Sequence, residues 1–147
     1  MYKISEPISL VWSGYTDAEY ISLVPYIHMA EVRSFNEMQD LLADYTDYGP
    51  PFNFVYITKD NHIGYMSVGV IPIRKNIHSG MYIKDGTSSE NDWVGLIRGT
   101  DKLHVNDPKR GYIVTANNKG ATDKYFNGVL DYSIFTGRAN RLEQLIE

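Results

Sequence analysis

The sequence predicts an α+β fold in which antiparallel strands are flanked by helices. Three observations carry this. Phe35, Met38, Leu41, Leu42 and Tyr45 recur at helical spacing behind Ser34, and Glu37 completes the Ser-x-x-Glu pattern that caps a helix N-terminus. Two β-prone runs, 52–57 and 63–73, flank Lys59-Asp60-Asn61-His62, whose turn chemistry makes them a β-hairpin. Arg138, Arg141, Leu142, Leu145 and Ile146 then return to a helical pattern.

In chain order, Ile8-Ser9-Leu10-Val11-Trp12 reads as a first strand, broken by Ser13-Gly14. Thr16-Asp17-Ala18-Glu19 is a second capping box, followed by Ile21, Leu23, Val24 and Ile27, with Pro25 kinking or delaying the helix. The helix behind Ser34 is expected to end near Tyr48, because Gly49-Pro50-Pro51 withholds donors and restricts the backbone before each proline. Within 63–73, Gly64 and Gly69 mark a bulge or a close backbone approach, and Pro72 predicts that the strand leaves its sheet there. Residues 75–92 lack periodicity and read as an exposed loop, Trp93 to Ile97 as a short buried segment, and Asn106-Asp107-Pro108 as a turn. The β-prone run from Gly111 to Ala116 is read as a strand that stops in two amides, Asn117 and Asn118. A polar stretch to Lys124 and a mixed apolar stretch from Tyr125 to Phe135 precede the last helix, which has none of the usual C-terminal signals.

A chain of 147 residues suits one domain with one core. The net charge of −4 gives no electrostatic reason to expect nucleic acid or an anionic membrane as partner. No apolar run approaches the ~18 residues that a membrane helix needs, and residues 1–6 resemble no signal peptide, so localisation stays open. The absence of cysteine excludes disulfides and thiolate sites. His28, His62, His78 and His104 have no metal-site spacing, so neither metal nor other cofactor is expected. No Gly-x-Ser-x-Gly elbow or phosphate loop is present, and turns account for Asp60, Asp85, Asp92 and Asp107. A rigid side-chain amide such as Asn117 could donate to a developing oxyanion, although by spacing alone a turn is the better explanation of an Asn pair.

Several separated motifs resemble, in order, the penicillin amidase (penicillin acylase) family of N-terminal-nucleophile hydrolases. They are the segment ending in Trp12, His28 to Glu37, Pro51-Phe52-Asn53-Phe54-Val55-Tyr56 and Asn61-His62-Ile63-Gly64-Tyr65. Gly69 to Arg74, Asp92-Trp93-Val94-Gly95, Asn106-Asp107-Pro108, Gly111 to Asn118, and Arg138-Ala139-Asn140-Arg141-Leu142 continue the series. The resemblance implies an amidohydrolase cleaving a linear amide through a serine at the start of a mature β-chain, its own α-amine acting as base. It assigns Asn117 to the oxyanion hole, Arg138 to orienting that Asn and the substrate, and Phe52 to the acyl pocket. It also implies an αββα fold of which this chain supplies part.

The nucleophile and the backbone donor that completes the oxyanion hole have no counterpart here. Near the family's calcium ligands stand Gly80 and Asn127-Gly128 instead of a carboxylate set. Residues 1–147 are therefore read as an internal fragment of such a β-chain, truncated at both ends and inactive by itself. Its expected partners are a small-molecule amide and the rest of its own precursor, with self-association if an incomplete core is exposed. Related enzymes are often exported. The alternative is a non-catalytic binding module that uses its tyrosine-rich surface, since the chain holds 12 tyrosines.

Overall fold

Helix α1 covers Val24–Met29, with Pro25, which lacks an N–H and whose fixed φ suits a helical turn, as its second residue. The computed structural model describes residues 7–13, 24–45, 51–75, 83–118 and 137–147. The expected Thr16–Glu19 cap, Tyr48, Gly80 and the stretch around Asn127-Gly128 lie outside the described residues.

Helix α2, Phe35–Asp44, opens with the predicted cap. Ser34 Oγ accepts from the Glu37 N–H at 3.3 Å, and the Glu37 carboxylate accepts from the Arg33 N–H at 2.8 Å. A third donor of this first turn, the Phe35 N–H, goes to Asp60 Oδ2 at 3.0 Å, a contact that ties the helix to the hairpin turn. The helix stops at Asp44, sooner than expected, with the Tyr45 N–H bonding back to the Leu41 carbonyl.

Strands β1 (Phe52–Ile57) and β2 (Ile63–Val68) form the predicted antiparallel hairpin, with Val55 opposite Tyr65 and Ile57 opposite Ile63. Asn61 closes the turn at φ 64°, a left-handed conformation that Asn tolerates, and donates its N–H to the Thr58 carbonyl at 3.0 Å. The run to Ile73 is not one strand. At Gly69, φ 86°, the chain leaves the first sheet, and β3 (Ile71–Arg74) pairs instead with β4 (Trp93–Ile97) in a separate two-stranded sheet. Pro72 sits inside β3 opposite Leu96, so the exit depends on the glycine, which alone adopts that φ without strain. The buried Lys102 donates its ammonium to the Gly69 carbonyl and seals this corner. A short strand β5 (His104–Asn106) adds to β2, giving the sheet order β1-β2-β5.

One face of that sheet is the core. Leu42, Tyr45, Met66 and Val68 are buried together, with Met29, Met38, Phe54 and Tyr56 packed around them. The Tyr56 ring crosses directly over Gly64, where a Cβ would stand 2.2 Å from Tyr56 Cζ, so the glycine is a packing requirement. The other face carries Val55, Ile57, Ile63, Tyr65 and Val105 by strand alternation. It is apolar and only partly covered, with Val55 47% and Ile57 73% exposed.

Two expected strands do not appear among the described residues. Residues 8–12 and 112–115 form no ladder, and Leu10 is 80% exposed. β-prone side chains do not make a strand without a partner edge. In the second case side chains satisfy the backbone: Arg110 Nε donates to the Tyr112 carbonyl at 3.0 Å, and Asn118 Oδ1 accepts from the Ala116 N–H at 2.9 Å. Trp93 to Ile97 is a strand buried only at Ile97, because a two-stranded sheet leaves most of its surface open. Within the expected loop, Asp85 Oδ1 accepts from both the N–H and the hydroxyl of Thr87, and a 3-10 turn covers Ser89–Asn91. The last helix, α3 (Gly137–Ile146), matches the predicted pattern and buries only Ala139.

Candidate active site

Asn117 stands at the end of the irregular segment with φ 61°. That value alone means little, since Asn61 adopts φ 64° in an ordinary hairpin turn. What distinguishes Asn117 is its partner. Arg138 Nη2 donates to Asn117 Oδ1 at 2.7 Å and to the Ala116 carbonyl at 3.3 Å, across 21 residues of sequence. A guanidinium has donors only, so the amide atom facing it must be oxygen, and the Asn117 NH₂ is turned the other way. Among the described residues that NH₂ meets no acceptor.

Arg138 is the second residue of α3, where a cation opposes the positive end of the helix dipole by about 0.3–1 kcal/mol. No acidic residue in the first turn offsets it. A local electrostatic preference is thus overridden for the contact with Asn117. Asn118 serves the turn, since its Oδ1 is occupied by the Ala116 N–H.

The segment and α3 are joined twice more. Arg110 Nη1 donates to Glu143 Oε1 at 2.9 Å while its guanidinium lies 4.7 Å above the Tyr112 ring. The Tyr112 hydroxyl donates to Glu147 Oε1 at 2.9 Å, and this bond is the main reason the Tyr112 pKa is raised. Beside Asn118 a cleft of about 280 Å³ is lined by Tyr65, Val105, Ile113, Thr115 and Glu143.

Of the three residues singled out in the sequence, Asn117 and Arg138 are brought together and Phe52 is not. Phe52 opens β1 opposite Val68, at the end of the strand remote from the hairpin turn, and is 47% exposed. It lines no part of the cleft beside Asn118. Sequence reasoning missed the pairing of His62 with Asp107. His62 Nδ1 donates to Asp107 Oδ2 at 2.6 Å, which raises the His62 pKa. The Asp107 pKa is lowered, first by the Ile63 N–H and then by His62. The available signal was that each flanks a strand end, but the pairing of those strands is not written locally. Among the described residues no three His, Asp or Glu side chains converge as a metal site requires.

Comparison with known proteins matches this architecture to one family. The family model described as penicillin amidase matches residues 2–147. Among solved structures, a thermostable penicillin G acylase from Alcaligenes faecalis is similar, with a TM-score of 0.65 and 25% sequence identity over 90% of this chain. The match spans 23% of that acylase chain. With a mixed helix and antiparallel-sheet structure of the acylase kind and a family match over almost every residue, this chain belongs to the penicillin amidase family.

Proposed function

We propose that this chain supplies the oxyanion-donor half of an amidase active site. In this reading a serine at the start of a mature β-chain, contributed by another part of the polypeptide, attacks the carbonyl carbon of a linear amide. The carbonyl oxygen gains negative charge, and the Asn117 NH₂ donates to it. Arg138 holds the amide in the donating orientation. The observation that carries the proposal is the Arg138 to Asn117 Oδ1 bond at 2.7 Å, which fixes which end of the amide points away from the helix. A preset donor of this kind is worth roughly 3–4 kcal/mol in the transition state, because no reorganisation is needed as the charge develops.

Phe52 is assigned to the acyl pocket by family likeness, completed by residues from elsewhere in the polypeptide. The remainder of the precursor is the partner, and the apolar face bearing Val55 and Ile57 supports this: burial against another layer would complete the sandwich, whereas open it favours self-association. On this reading the separate chain is inactive. The test is Asn117→Ala in the intact polypeptide, assayed on phenylacetyl and long-acyl amides. A loss of about 10²–10³ in kcat is expected, and turnover at the unsubstituted level would refute the proposal.

A further inference from the structure

We infer that Asp107, held by His62, is a positioning residue: it fixes, relative to the core, the segment that ends in Asn117. Its consequence for turnover rests on the amidase reading above, while its geometry stands on the contacts.

Both carboxylate oxygens of Asp107 and its N–H are engaged at the start of β2. Its Oδ2 accepts from His62 Nδ1 at 2.6 Å and its Oδ1 from the Ile63 N–H at 3.0 Å, while its own N–H donates to the Ile63 carbonyl at 3.0 Å. The backbone there has φ 41°, a left-handed conformation that Asp adopts more readily than most residues. The His62 ring is itself braced, its centroid 5.3 Å from that of Phe35 at the start of α2. Asp60, the other carboxylate interacting with His62, is committed to the Phe35 N–H. One residue before Asp107, Asn106 Oδ1 accepts from Gln39 Nε2 of α2 at 2.9 Å. Helix, hairpin turn and segment therefore meet at one place.

Beyond Asp107 the chain turns tightly, with the Gly111 N–H on the Pro108 carbonyl at 2.8 Å and Gly111 at φ 75°. From there the polar ties run to α3, through Arg110 to Glu143, Tyr112 to Glu147 and Arg138 to Asn117. Helix α3 buries only Ala139, so it is a weak anchor on its own. The segment and α3 support each other, and Asp107 is a polar tie that refers both to the hairpin and the buried core.

The test uses the intact polypeptide with ¹⁵N-labelled asparagine, the Asn117 NH₂ signal being identified by its loss in Asn117→Ala. His62→Phe keeps a ring against Phe35 and removes the donor, whereas His62→Gln keeps a donor. The Asn117 NH₂ resonances are expected to move in His62→Phe and to return in His62→Gln. In parallel, kcat should fall about tenfold in His62→Phe with KM little changed, a loss in the range that slight misplacement of a catalytic group produces. Should His62→Phe fail to fold, Asp107→Asn, which keeps an oxygen for the Ile63 N–H, takes its place with the same expected shift. Unmoved Asn117 resonances in a folded variant would overturn the inference. Shifted resonances in a polypeptide that hydrolyses no amide would uphold it and remove the amidase reading instead.

Discussion

Arg138 reaches from the first turn of α3 to the carboxamide oxygen of Asn117 at 2.7 Å, and the same nitrogen lies 3.3 Å from the Ala116 carbonyl. One guanidinium thus sets both the backbone and the side chain at the end of the segment. If its role is to orient Asn117, the two residues act as one unit. Arg138→Ala should lower kcat in the intact polypeptide, and adding it to Asn117→Ala should cost no more than Asn117→Ala alone. Steady-state rates of the two single variants and the double variant measure the coupling, which contacting residues typically show at about 0.5–3 kcal/mol. Simple additivity of the two losses would count against a shared role.

Gly64 allows no side chain. A methyl group there would overlap the Tyr56 ring, which packs in turn on Phe35 with centroids 5.7 Å apart. Gly64→Ala is expected to destabilise the fold by at least about 1–3 kcal/mol, the usual cost of overpacking. Denaturant unfolding followed by tyrosine fluorescence gives the number.

Leu42 is fully buried at the centre of the α2 contact with β2. Leu42→Ala should cost about 2–5 kcal/mol by loss of transfer energy and creation of a cavity. Leu145→Ala on α3, where the side chain is 64% exposed, should change the chain's unfolding midpoint little, and the pair of midpoints checks the contrast.

The His62–Asp107 pair predicts a pH window. The His62 pKa is raised above 6.5, so its contribution is complete below that value and is lost as pH rises through the folded-state pKa. The Asp107 pKa is lowered below 3.8, so its contribution is complete above that value and is lost as pH falls through the folded-state pKa. Both contributions coexist between 3.8 and 6.5. Melting temperatures across pH should show a plateau in that interval, and His62→Gln should flatten its alkaline shoulder.

The sequence disclosed most where local rules agree with one another. In α2 the cap, the helical period and the buried face all coincide, and in the hairpin the turn residues and the flanking β-formers do. It misled where β-propensity was asked to stand for a pairing partner: residues 8–12 and 111–116 have the composition of strands, but an edge to join is not encoded in the segment itself. The three residues His104, Val105 and Asn106 are too few to display a period, so β5 was invisible, and with it the meeting of His62 and Asp107. The same limit applied to the site. Asn117 and Arg138 lie 21 residues apart, and only family likeness joined them before the structure did.

The position of the buried core along the chain has a consequence for biosynthesis. The cluster of Leu42, Tyr45, Met66 and Val68, with Met29, Met38, Phe54 and Tyr56 packed around it, falls between Met29 and Val68, from the end of α1 through α2 and the hairpin. Contacts of such short sequence separation tend to form quickly, and every residue of this cluster is synthesised well before Arg138. The Arg138–Asn117 contact can form only once every residue of that cluster has been synthesised.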